Sequence, residues 1–170
     1  YPIEYEKFYT FSFVRNPFSR AASLYCEIMN YRNDLKDYLL INKGTTFNSF
    51  LKLIVKNPHA HWMPMCNFFD KNELNFVGRY ENYKKDISKV FKKKKLKFNF
   101  KNFSSAKFKQ VNYLSFYDYK DNIKLVKEIY QKDLNRFDYN FKDFFAENEK
   151  KIKRNKYQIL NKKKLKKNYF

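Results

Sequence analysis

Residues 8–25, FYTFSFVRNPFSRAASLY, decide how the fold begins. The run Phe8–Val14 is mostly aromatic or β-branched and stops sharply at Arg15, the mark of a short buried strand. Asn16-Pro17 then opens a helix, with Asn16 as N-cap and Pro17 at the first helical position, where its missing N–H costs nothing. Ala21, Ala22, Leu24, Tyr25, Ile28 and Met29 keep helical spacing to about Tyr31.

An arginine at the carboxyl end of a buried strand, next to a helix start, is a physically sensible anion site. Open α/β sheets bind ligands at the carboxyl ends of their strands. A helix N-terminus adds unpaired N–H groups and a positive dipole end. Arg15 offers a planar fork to phosphate oxygens, and Arg20 lies at the same junction. Ser19 and Ser23 stand four apart, on one helix face, with hydroxyls able to donate to the same anion. The same residues also fit a bland role, with Arg15 and Arg20 paired to surface acids and Ser23 a small packing residue. Spacing alone does not separate the two.

Outward from this junction the chain alternates helices with one more strand. In KGTTFNSFLKLIVKNP (residues 43–58), Thr45 or Thr46 caps a helix carrying Phe47, Phe50, Leu51 and Ile54, which ends before Pro58. Lys43-Gly44-Thr45-Thr46 also looks like a compressed phosphate loop, with a helix cap as the competing reading. ELNFVGRYENY gives a strand over Leu74–Val77 that breaks at Gly78, and a helix follows with Ile87, Val90 and Phe91 on one face. Residues 92–112 are lysine-rich and irregular. A continuous helix is predicted from Asp121 to about Phe137, with Ile123, Val126, Ile129, Tyr130, Leu134 and Phe137 three or four apart. Strands alternating with helices indicate an α/β architecture with a parallel sheet.

A chain of 170 residues with 44% hydrophobic and 21% aromatic residues builds a real core. The net charge is +20. Residues 150–170 carry ten Lys/Arg and no acid, and residues 84–101 nine Lys and one Asp, so these stretches supply 18 of the 20 charges. Such stretches attract phosphates, anionic glycans or membrane surfaces, although the Lys/Asn/Phe/Tyr/Ile skew is also what an AT-rich coding sequence produces. The domain is expected over 1–145, with a basic tail over 146–170. Cys26 and Cys66 are too few for a disulfide framework and lack metal-ligand spacing. Reduced thiols suggest a cytoplasmic setting, and membrane association stays open because the chain starts at Tyr1 and any targeting segment lies outside it.

Three segments, in order, resemble one family. FSFVRNPFSRAASLY looks like the 3′-phosphate-binding segment of sulfotransferases that use 3′-phosphoadenosine 5′-phosphosulfate (PAPS). HWMPMCNFFDKNELNFVGRYENYKKDISKV is similar to the HW-x-P segment and the F-[VI]-G-R-[FY]-E strand-helix of carbohydrate-type sulfotransferases. YLSFYDYKDNIKLVKEIYQKDLNRFDYNF resembles the closing helix. The likeness spans about residues 8–142 and implies a P-loop-kinase-like sulfotransferase fold, with a parallel sheet flanked by helices and a helix-rich C-terminal half. The family's loop for the 5′-phosphosulfate, of the P-K-x-[AG]-[GS]-[TS]-[TS] kind, has no match ahead of this segment, which implies an N-terminally truncated domain.

The resemblance implies transfer of a sulfuryl group from PAPS, as co-substrate and without a metal, to a hydroxyl of a sugar or glycan acceptor. Arg15 and Ser23 carry over as 3′-phosphate ligands, with Ser19, Arg20 and Arg79 as further cofactor-binding candidates. The transfer needs a base, and His61 is the catalytic candidate because histidine titrates near neutrality. Its competing reading is a loop hydrogen bond with Trp62 packed over it, while Trp62 is either a sugar platform or core. Arg79 and Glu81 follow a strand end and read either as ligand contacts or as an internal ion pair. The alternatives are a degenerate sulfotransferase-fold scaffold and a basic polyanion-binding module. No specific nucleic acid is expected, because no aromatic-basic recognition motif of known type is present.

Overall fold

A computed structural model describes residues 8–69, 73–97, 111–150 and 152–153. The lysine-rich residues 98–110 and most of the basic tail lie outside the described residues. Strand β1 (Phe11–Val14) pairs in parallel with β2 (Phe76–Arg79), in the register Phe11 with Phe76 and Val14 with Arg79. The second strand thus runs through Gly78 instead of breaking there. The reason is a close approach: a Cβ on Gly78 would stand 2.5 Å from Cε1 of Phe13, so the ring of Phe13 fills the space a side chain would need.

Seven helices accompany the sheet among the described residues: α1 (Pro17–Tyr31), α2 (Asn33–Leu39), α3 (Phe47–Lys56), α4 (Tyr83–Lys93), α5 (Lys120–Ile129), α6 (Gln131–Arg136) and α7 (residues 141–150). Helix α1 starts as the sequence indicates. The Asn16 Oδ1 accepts the Phe18 N–H at 3.1 Å, and Pro17 occupies the first turn. Its inward face holds Phe18, Ala21, Ala22 and Ile28, all fully buried. Helix α2 forms in the polar stretch after α1; Leu35 and Leu39, four apart, bury its one apolar face. Thr46 caps α3 by accepting the Ser49 N–H at 3.2 Å, while Asn42 Oδ1 accepts the Gly44 N–H at 2.8 Å. The stretch Lys43–Thr46 is therefore a capping turn.

The long helix expected over Asp121–Phe137 is two helices. Tyr130 leaves helical geometry at φ −115° and ψ 24°, and the turn lets α6 aim Asp133 at the 3₁₀ turn Met65–Asn67. Helix α7 continues across residue 145, with Phe144 and Asn148 buried. The larger core joins α1, α2, α3, α5 and α7. A smaller one, of Val14, Met65, Phe137 and Tyr139, lies beneath the sheet.

Helix α4 is fixed behind β2 by Asp86, whose carboxylate accepts the Arg79 N–H at 2.9 Å and the Lys89 ammonium at 2.7 Å. Burial alone would raise the Asp86 pKa, but the Lys89 and Arg79 bonds outweigh it and hold it below the ordinary carboxylate value. A depressed folded pKa gives stability that is complete above the unfolded value and is lost as pH falls through the folded one. Asp86→Asn should therefore flatten the acid side of the stability profile, read by urea unfolding across that range. Superimposable acid limbs in parent and variant would refute the role given to Asp86.

Candidate functional site

The carboxyl ends of β1 and β2 meet the start of α1, and the side chains there form two distinct sets. The first centres on Arg15. Its guanidinium carbon lies 5.0 Å from the Tyr80 ring centroid and 5.8 Å from that of Tyr113, so two aromatic rings hold the fork. Its backbone N–H points to Met65 Sδ at 3.5 Å. Among the described residues no carboxylate pairs with Arg15, and its guanidinium donates no hydrogen bond. The surface-acid reading of Arg15 is therefore not what the structure shows. Tyr113 also borders a cleft of about 240 Å³ lined by Ser23, Cys26, Asn30 and Tyr31, which places Ser23 on the same side of α1 as the held arginine.

The second set closes the helix start itself. Glu81 accepts the Asn16 N–H through Oε1 at 2.8 Å and the Tyr139 hydroxyl through Oε2 at 2.8 Å. The Asn16 Nδ2 donates to Asn140 O at 3.2 Å, and the Tyr139 hydroxyl is also 3.3 Å from Val14 O. Burial and the Glu81 carboxylate push the Tyr139 hydroxyl far above its ordinary pKa, so it remains a donor. Two N–H groups at the helix start are thus engaged within the fold: Asn16 gives its N–H to Glu81 and Phe18 gives its N–H to Asn16.

Arg79 does not pair with Glu81. Its Nη2 donates to Phe137 O at 2.8 Å and Asp138 O at 3.3 Å, and its guanidinium stacks on Tyr139 at 4.6 Å. It fastens the end of α6 beside a second cleft of about 280 Å³ that Glu81 and Tyr139 also line. Arg20 turns toward the interior: Nη2 donates to His61 O at 3.2 Å, Nη1 lies 3.9 Å from Asp133 Oδ2, and the group stacks over Tyr130 at 5.5 Å. Ser19 is buried in the first turns of α1.

The His61 side chain has other partners. Its Nε2 contacts Arg32 Nη1 at 3.2 Å, and its Nδ1 contacts His59 Nδ1 at 3.1 Å. The His59 Nδ1 also accepts the His61 N–H at 3.2 Å, which assigns His61 Nδ1 as a donor and Nε2 as the acceptor from Arg32. Arg32 follows the C-terminus of α1, and a helix of this length spans about 22 Å. The imidazole is therefore turned toward the C-terminal end of α1, while the His61 carbonyl accepts from Arg20. Trp62 is buried in the core and donates from Nε1 to Asn57 O at 2.7 Å. Among the described residues no three His, Cys, Asp or Glu converge as metal ligands.

Sequence reasoning missed the residues that hold the site. Tyr80 and Tyr113 carry no motif as arginine clamps, since they stand 33 positions apart. Asp133, which no motif singles out, is fully buried and accepts the Met65 and Cys66 N–H groups at 2.8 and 2.9 Å.

Comparison with known proteins returns one family. The model described as Sulfotransferase family matches residues 2–140. No curated protein and no solved structure matches the chain significantly.

Proposed function

Since the chain belongs to the sulfotransferase family, we propose that it serves the transfer of a sulfuryl group from PAPS to a hydroxyl of a carbohydrate-type acceptor, on a P-loop-kinase-like sheet. The observation that carries this reading is the Arg15 fork, held between Tyr80 and Tyr113 with no acid against it among the described residues. An arginine fixed by rings is already ordered for bidentate contact with two phosphate oxygens, so little side-chain entropy is lost on binding. In this reading Arg15 grips the 3′-phosphate and the Ser23 hydroxyl donates from the neighbouring cleft. Glu81 and Tyr139 keep the strand-to-helix junction in place, and Arg79 and Arg20 support it from behind.

Sulfuryl transfer is an in-line displacement governed mainly by positioning and charge stabilisation. The sulfur–oxygen bond to the nucleotide's phosphate breaks as the acceptor oxygen bonds to sulfur, and the acceptor proton leaves to a base. What Arg15 contributes is the fixed position of the nucleotide during that exchange.

The test is calorimetric binding of 3′-phosphoadenosine 5′-phosphate, the product nucleotide. Arg15→Ala should weaken it by about 1.5–3 kcal/mol, the scale of a charge-assisted hydrogen-bond set. Equal affinity in variant and parent would sink the assignment. One observation favours a second reading, a sulfotransferase-fold scaffold that binds nucleotide without transfer: the imidazole of His61 is turned to Arg32. Sulfate transfer from PAPS to a panel of sugars decides between them, because the scaffold binds the nucleotide and transfers nothing.

A further inference from the structure

The end of the sheet opposite Arg15 carries a different chemistry. Helix α4 follows β2 and runs back along it, so its last turn lies beside the beginning of β1; Lys94 Nζ stands 5.0 Å from the Tyr9 ring. Residues 84–97 hold eight lysines, all exposed, and a single acid. That acid is Asp86, buried and already bonded to the Arg79 amide and to Lys89. The positive charge of this surface therefore has no local compensation from its own segment.

Apolar side chains are exposed in the same place. Phe8 is 63% exposed, Phe11 44% and Leu96 58%. Phe8 adjoins the Tyr9 that Lys94 covers, Leu96 follows Lys94 by two residues, and Lys89 reaches over Phe76, the ladder partner of Phe11. Lysines thus accompany exposed apolar side chains at the amino ends of the strands. A dissolved polyanion would neutralise the lysines but leave Phe8 and Leu96 in water. A bilayer surface satisfies both, since anionic headgroups attract lysine and the headgroup–acyl boundary takes aromatic and aliphatic side chains.

We propose that this patch, built from the last turn of α4, Leu96, Phe8 and Phe11, docks the protein on an anionic lipid surface. Docking there points the carboxyl ends of the strands, with Arg15, away from the bilayer. The four-residue strand alone sets that end back by about 13 Å. Each lysine near an anionic bilayer strengthens partition by about fivefold, so the charge supplies attraction and the apolar side chains supply the lipid preference.

The test is cosedimentation of the full chain with vesicles of equimolar phosphatidylcholine and phosphatidylserine, with pure phosphatidylcholine vesicles and immobilised heparin as comparisons. Binding should be strong to the mixed vesicles, weak to the neutral ones and reduced by salt. The double variant F8S/L96S changes exposed side chains only. It should bind the mixed vesicles about tenfold more weakly and heparin unchanged. K92Q/K93Q/K94Q should weaken both. Unchanged vesicle binding in F8S/L96S would overturn the lipid assignment and leave a plain polyelectrolyte surface. Unchanged vesicle binding in the lysine variant would overturn the location of the patch.

Discussion

Asp133→Ala should cost about 3–5 kcal/mol of stability, the scale found when one partner of a buried charged pair is removed. Its carboxylate is fully buried and serves three groups at once. Oδ2 and Oδ1 accept the N–H groups of Met65 and Cys66, and Arg20 Nη1 approaches to 3.9 Å. Alanine would strand two backbone donors and leave a largely buried guanidinium without its counter-charge. Asp133→Asn keeps one acceptor oxygen and should lose less. For a domain whose whole stability is of order 5–15 kcal/mol, the alanine variant approaches unfolding at ordinary temperature. Urea unfolding of the three proteins measures this, and a loss under about 1 kcal/mol would show that the carboxylate is not the anchor described.

Phe144→Ala is the second large effect, about 3–5 kcal/mol from lost burial and the cavity left behind. The side chain is fully buried and its ring lies 5.8 Å from Phe18, 5.1 Å from Tyr117 and 5.6 Å from Phe141. Phe145, the next residue, is nearly half exposed, and its alanine variant should stay within about 0.5 kcal/mol of the parent. Thermal unfolding of the pair therefore reads the packing of α7 directly. Were this segment a solvated tail, both substitutions would be neutral.

What the sequence made legible was local. Asn16-Pro17 announced the helix start because capping depends on neighbouring residues alone, and Thr46 did the same for α3. The apolar spacing of α1, α3 and α4 was readable for the same reason. Gly78 misled because glycine punctuates loops far more often than it makes room for a ring, and only the partner strand reveals Phe13 above it. The break at Tyr130 was invisible because the apolar stripe runs on unbroken; the turn answers to Asp133 and the distant amides of Met65 and Cys66. The arginines show the limit most clearly. Arg15, Arg20 and Arg79 are alike as letters, yet one is held free by two rings, one faces inward and one fastens a helix end. Which is which depends on Tyr113, Asp133 and Phe137, all in the second half of the chain.

The bonds from Asn16 to Asn140 and from Tyr139 to Val14 join positions 124 and 125 residues apart. On a ribosome, the junction that presents Arg15 is made near the beginning of this stretch, but its fastening is made near the end. The contacts of α1 with α2 are available early, whereas closing this long loop waits for residues 139–140 to emerge. The placement of Arg15 is thereby a property that synthesis confers late, so a prematurely ended chain carries the arginine without the frame that aims it.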